Sequence, residues 1–202
     1  MYVILDNESV DFDGPPPPNP RACFDLLNTH LAANGRCLLH FEADGTDILA
    51  QTQPRFPESA QEVRAQSTSQ AYLVGQLAQG QLGNLRQLID CAARLPGEFL
   101  AQPWSLTQTK LPAFSAALEP ILQLLAPLQA AAATLDKSAE AEQVTRLETT
   151  FSEGFQALAN AAQFQSPAEV SEALADTLNP ALKSLYTLLA DGLLPALEAH
   201  RA

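Results

Sequence analysis

Residues 37–49 read Cys37-Leu38-Leu39-His40-Phe41-Glu42-Ala43-Asp44-Gly45-Thr46-Asp47-Ile48-Leu49. Cys37, Leu39, Phe41 and Ala43 alternate with Leu38, His40 and Glu42, the period of a strand with one buried face. Asp44-Gly45 is a hairpin turn, and Thr46-Asp47-Ile48-Leu49 reads as the returning strand. Ahead of this hairpin, Phe24, Leu27 and Leu31 recur at helical spacing, with Cys23 beside them. Asn19-Pro20 starts that helix, because Asn caps free amides and Pro at the first helical position loses no hydrogen bond. Asn34-Gly35 supplies its left-handed stop. Further upstream, Tyr2-Val3-Ile4-Leu5 and Val10-Asp11-Phe12 flank the turn-prone Asp6-Asn7-Glu8, which suits a second hairpin.

The order strand, strand, helix, strand, strand predicts a small sheet with one helix across a face, a β-grasp-like arrangement by element order alone. Between the first hairpin and the helix stand Gly14 and Pro15-Pro16-Pro17-Pro18, a run excluded from helix interiors and central strands. Gln51 to Pro57 is a connector. Ser59-Ala60-Gln61-Glu62 matches a capping box, yet Glu62 to Gln66 is preferred as one more strand, since Ser67-Thr68-Ser69 is the stronger helix start.

Beyond Ser69 the period is helical. Leu73, Leu77, Leu85, Leu88, Ala92 and Leu95 form one stripe that Pro96-Gly97 should end, with Gly75, Gly80 and Gly83 marking close packing or a break. A loop with Trp104 leads to a helix over Thr109 to Leu135, which Pro120 and Pro127 should kink or split. Ser138 opens a third, carrying Val144, Leu147, Phe151, Phe155, Leu158 and Ala162. Ser166-Pro167-Ala168-Glu169 is a capping box for a fourth, with Leu174, Leu178, Leu182, Leu185 and Leu189, and Pro180 as a kink. A short piece with Leu193, Leu194 and Leu197 follows. The fold class expected is α+β: a β-hairpin–helix–β-hairpin module over 1–66, then an antiparallel four- to five-helix bundle over 67–202.

Of the 202 residues, 11 are basic and 23 acidic, a net charge of -12, although only 17% are charged. Soluble domains average roughly 25%, so the acidity reflects scarce Lys and Arg. Such a chain lacks the clustered cations that nucleic acid or an anionic membrane requires. Residues 1–62 hold ten acids against three arginines, and residues 63–202 thirteen acids against eight bases. The acidity is concentrated in the N-terminal third. No cationic region precedes the apolar Tyr2–Leu5, so no secretory signal is read there. The apolar Phe114–Leu135 reads as a helix buried in protein. Three cysteines make a sparse, odd set that fits a reducing interior, and a cytoplasmic location is expected.

The sequence assigns no catalytic residue, metal ligand or cofactor. His30, His40 and His200 lack chelating helical spacing. Cys37 and His40 would point to opposite faces of a regular strand and could share an ion only through a bulge. Asp11-Phe12-Asp13-Gly14 resembles part of a calcium loop, but its frame puts Ser9 first and Pro20 where the bidentate Glu belongs. Nucleophile elbows and phosphate-binding glycine loops are missing.

What remains is binding. Asp6, Glu8, Asp11 and Asp13 are either an interaction edge or charges that guard an edge strand. Pro15, Pro16, Pro17 and Pro18 are either a polyproline ligand or a rigid crossover. Trp104 is either a partner anchor or a plug for the end of a bundle. The leading expectation is a non-catalytic interaction or assembly module whose partner is a protein or a second copy, not nucleic acid or membrane. The alternative is a small-molecule binder or unrecognised enzyme with an apolar pocket between helices kinked at Pro120, Pro127 and Pro180.

Overall fold

The computed structural model describes residues 1–12 and 14–200. The chain forms two compact units, Met1–Leu73 and Val74–Ala199, the first a five-stranded mixed sheet with one helix and the second helical.

In the first unit the sheet order is β2-β1-β5-β3-β4. The strands are β1 (Tyr2–Leu5), β2 (Glu8–Ser9), β3 (Arg36–Ala43), β4 (Thr46–Asp47) and β5 (Glu62–Ser69), with α1 (Pro20–Ala33) between the second and third. Central β5 runs parallel to β1 and antiparallel to β3. Both hairpins close through two left-handed residues, Asp6 (φ 52°) and Asn7 (φ 68°), then Asp44 (φ 47°) and Gly45 (φ 80°). Such turns match the right-handed twist of the strands they join. The first returning strand is Glu8–Ser9, shorter and earlier than the expected Val10–Phe12. The Val10 amide still donates to the Val3 carbonyl at 2.9 Å before the chain leaves the sheet. β4 ends early because Asp47 Oδ1 accepts from the Leu49 and Ala50 amides, a side-chain turn that pulls the chain out of the ladder. Two-residue edge strands offer little template for unwanted pairing.

Asn19 caps α1 as expected, its Oδ1 accepting from the Ala22 amide at 2.9 Å. The helix buries Cys23, Leu27 and Leu31. Around them close Val3, Phe41, Ala43, Ile48, Val63 and Ala65. Phe56, from the connector, completes an aromatic cluster with Phe24 and Phe41, at centroid distances of 5.3 and 6.1 Å.

One expectation about β3 is overturned. Its register passes from Leu38↔Ser67 to His40↔Gln66, leaving Leu39 as an inserted bulge residue. Downstream, Phe41 and Ala43 stay inward. Upstream the phase reverses: Leu38 packs on the core, while Leu39 is 47% exposed. Cys37 and His40 are therefore not separated by simple alternation. Among the described residues, however, no three His, Cys, Asp or Glu side chains gather in a metal-binding group.

The helical elements are α2 (Gln70–Ala101), α3 (Trp104–Thr107), α4 (Lys110–Thr134) and α5 (Ser138–Gln163), then a long C-terminal run. α2 continues through Pro96-Gly97 instead of ending there. Its inward stripe is Gly75, Ala78, Leu85, Leu88, Ala92, Leu95 and Phe99, whereas Leu73 and Leu77 are exposed. Close approach sets the phase at the start of the helix: a Cβ at Gly75 would lie 2.9 Å from Leu197 Cβ, so Gly75 and Ala78 face inward there, while Leu85, Leu88, Ala92 and Leu95 are buried as expected. α4 is also unbroken. Pro120 and Pro127 lie on its exposed side, as do Ala116 and Gln123, whose carbonyls the prolines leave without a helical donor and water can satisfy. Trp104–Thr134 is long and apolar enough to cross a membrane by length and composition alone. α4 buries one face, including Phe114, Leu118, Ile121 and Leu128.

The C-terminal run comprises α6 (Pro167–Glu172), α7 (Asn179–Thr187) and α8 (Leu194–Ala199), separated by π-helical turns at Ala173–Leu178 and Leu188–Leu193. Ser166 Oγ caps it, accepting from the Glu169 amide. The two π turns occupy matching places in a repeat, Leu174-Ala-Asp-Thr-Leu-Asn-Pro180-Ala-Leu182 and Leu189-Ala-Asp-Gly-Leu-Leu-Pro195-Ala-Leu197. In each, proline cannot donate to the residue four back and its ring crowds that carbonyl; widening the preceding turn accommodates both defects.

Candidate functional site

The acidic residues of the first unit have distinct roles. Asp6 is a structural clasp: its carboxylate accepts from the Ser67 amide at 2.7 Å and the Ser67 hydroxyl at 2.6 Å. Arg36 closes the ring, with Nη2 3.3 Å from Asp6 and Nε donating to Ser67 Oγ at 2.9 Å. Glu8 and Asp11 are exposed, and Asp13 lies outside the described residues. Pro15, Pro16 and Pro18 are exposed, and Pro17 is half-buried.

Asp11 and Pro15 share one feature, an open groove of about 1060 Å³ along α1. Val10, Phe12 and Pro15 line one side, and Ala22, Leu26 and Ala33 of α1 the other. Leu26 is 50% exposed, and of the exposed leucines it is the one that lines this groove. Asp25, Thr29 and His30 add polar groups, and Asp25 is paired with Arg21 one turn earlier at 3.2 Å. Sequence reasoning missed Leu26, because Cys23, Leu27 and Leu31 already account for the helix's core face.

On the sheet, His40 donates to Asp47 Oδ2 at 3.1 Å, and that hydrogen bond is the main reason the Asp47 carboxyl is held below the usual range. Trp104 belongs to the second unit, half-buried, with its ring 5.8 Å from Phe99.

The second unit contains a cleft of about 520 Å³ between α2 and α4. Leu88, Leu95 and Phe114 give it an apolar lining, and Asn84 ties its walls by donating to the Ala117 carbonyl at 3.2 Å. Arg94, Glu98 and Lys110 also line it. Lys110 Nζ sits 2.5 Å from Glu98 Oε2, a hydrogen bond that holds the Glu98 carboxyl below its ordinary value. Pro120, Pro127 and Pro180 are not among the lining residues, so this cleft is not the pocket expected at helix kinks.

Burial pushes the Cys23 thiol up to about 11 from its ordinary 9.0. Below pH 9 the thiol is neutral in folded and unfolded chains alike. As pH rises from 9 toward 11 only the unfolded chain ionises, so this contribution to stability is lost across that window. At pH 8 the shift alone cuts the thiolate fraction about a hundredfold, and the fully buried sulfur is sterically closed as well. Cys23 is expected to stay unmodified by iodoacetamide at pH 8 until denaturant is added; peptide mapping that finds it alkylated in the native protein would contradict this packing.

No family model, curated protein or solved structure matches the chain.

Proposed function

We propose that the chain is a non-catalytic protein-interaction module of the cytoplasm, in which a β-grasp-like N-terminal module precedes an antiparallel helical bundle. The sheet order, with a helix between two hairpins and the first and last strands paired at the centre, supports the β-grasp-like reading. Packing of α5 against α4 and against the C-terminal run supports the bundle.

The observation that carries the interaction reading is the α1 groove, where half-exposed Leu26 shares the lining with Asp11 and Asp25. Apolar surface with a charged rim is the usual composition of a docking site. The groove suits an amphipathic protein segment: apolar side chains to cover Leu26 and Phe12, and Lys or Arg to face Asp11. Nucleic acid and anionic membrane fit poorly against a unit with so many carboxylates.

Affinity capture from the native lysate tests this with three baits. Wild type should enrich a partner that Leu26→Glu loses and Leu77→Glu, altered on α2, retains; light scattering shows whether that partner is a second copy. Asp11→Asn should slow association several-fold at low salt with little effect on dissociation. Asp6 must be spared, since its neutralisation would undo the Ser67–Arg36 clasp. A monomer whose captures are identical with Leu26→Glu would defeat the proposal.

A further inference from the structure

We infer that the slot between β1 and β3 is a strand-binding site whose ligand is β5, held by recognition of the strand and not by the loop that leads to it, so that one copy can take β5 from another. β5 pairs with β1 over residues 62–65 and with β3 over residues 63–69. Both its backbone edges are therefore filled by segments far ahead of it in the chain. Each hairpin turn also supplies a carboxylate to one of its ends. Asp44 Oδ1 accepts from the Gln61 and Glu62 amides at 3.0 and 2.9 Å, and Asp6 takes the Ser67 amide and hydroxyl at the other end. Val63 and Ala65, 0% and 3% exposed, enter the core. Phe56 packs against the same core from the connector, with the Arg21 guanidinium over its ring at 4.9 Å. When a strand binds by completing a sheet, main-chain hydrogen bonds give affinity and alternate buried side chains give specificity; β5 has both.

The loop before it is slight by comparison. β4 ends at Asp47, and residues 52–55 are exposed and outside any helix or strand. The Arg55 amide donates to Gln51 Oε1 at 3.4 Å, a bond within the loop itself. Cutting a short flexible loop forfeits only a millimolar effective concentration, so a strand anchored at both ends and in the core stays bound at about micromolar protein. Exchange of the same element between identical copies then needs no new contact, since the second β5 makes the bonds of the first.

The test uses the full chain with a specific protease site inserted after Thr52, in the exposed loop, so that cleavage leaves Phe56 on the β5 side. Cleaved protein should elute from a sizing column as the uncleaved chain does at about micromolar concentration, with its amide protection in β3 and β5 retained. An excess of a peptide spanning residues 56–69, standing in for β5 of a second copy, should then release the C-terminal part as a separate peak. The same peptide carrying Val63→Glu should release nothing. Asp44→Asn keeps a residue that tolerates the left-handed turn but removes the charge from both amide bonds, and should speed release by about tenfold. Parts that separate on cleavage, a wild-type peptide that releases nothing, a Val63→Glu peptide that releases as much, or release unchanged by Asp44→Asn would each overturn the inference.

Discussion

Phe41→Ala is expected to cost the N-terminal unit about 3–5 kcal/mol, while Leu39→Ala, two residues away, should change stability by no more than about 0.5 kcal/mol. Phe41 is 0% exposed. Its ring meets Phe24 edge-on, centroids 5.3 Å apart and planes at 88°, and lies 6.1 Å from Phe56. Truncation therefore removes the shared partner of an aromatic cluster that joins the sheet, α1 and the connector, and the cavity cannot collapse without moving all three. A loss of that size is a large part of the total stability of a small domain. Hydrogen exchange at the β3 and β5 amides is the suitable measure, because it reads this unit alone. The contrast with Leu39 tests the bulge. A regular strand would bury both side chains, and comparable losses for the two variants would show that β3 has no register shift there.

That pair of residues shows where the sequence is legible and where it is not. Features set within three or four residues can be read directly: the left-handed turns at Asp6-Asn7 and Asp44-Gly45, the Asn19 cap before Pro20, and the Ser166 cap before Pro167. Each depends on local backbone strain or an unpaired amide, which the residue type alone resolves. Features set by distant partners are hidden. The bulge at Leu39 arises where β3 meets β5, roughly thirty residues on in the chain. Asp6 reads as one more surface acid until Ser67, 61 residues away, takes both its oxygens. The phase of α2 holds at Leu85, Leu88, Ala92 and Leu95 but fails at Leu73 and Leu77 for the same reason: large residues ordinarily mark a buried stripe, and there Leu197 comes so near Gly75 that only small ones fit. Prolines announce an irregularity, and packing chooses its form, a solvent-facing interruption in α4 and π turns before Pro180 and Pro195. In the groove, the acids and prolines stand out in the sequence as candidates, whereas Leu26 does so only through the half-exposed place that α1 gives it.

The second unit supplies the other large effect. Gly154→Leu is expected to destabilise the protein by about 3 kcal/mol, the upper end of the overpacking range, and Leu178→Ala by about 2–5 kcal/mol through the opposite defect, a cavity. The double variant should be markedly more stable than the sum of the two losses implies. A Cβ at Gly154 would lie 2.6 Å from Leu178 Cδ2, 2.9 Å from its Cγ and 3.2 Å from Thr177 Cγ2. Leu178 is 0% exposed and ends the first π turn, so it has no empty space to retreat into. Glycine here permits the C-terminal run to press against α5, despite the helix propensity that α5 forgoes. Removing the Leu178 side chain vacates the volume that a side chain at 154 would enter, which couples the two sites by about 0.5–3 kcal/mol, as expected for residues in contact. Gly83→Ala is the control: no atom lies within 4 Å of its added Cβ, so the same backbone change should stabilise α2 by about 0.5–1 kcal/mol. Urea unfolding followed by the fluorescence of Trp104, the single tryptophan and a member of this unit, measures all four variants. Strictly additive losses for Gly154→Leu and Leu178→Ala would mean that the two residues do not compete for one space, and that α5 and the π turn are held apart by something other than this contact.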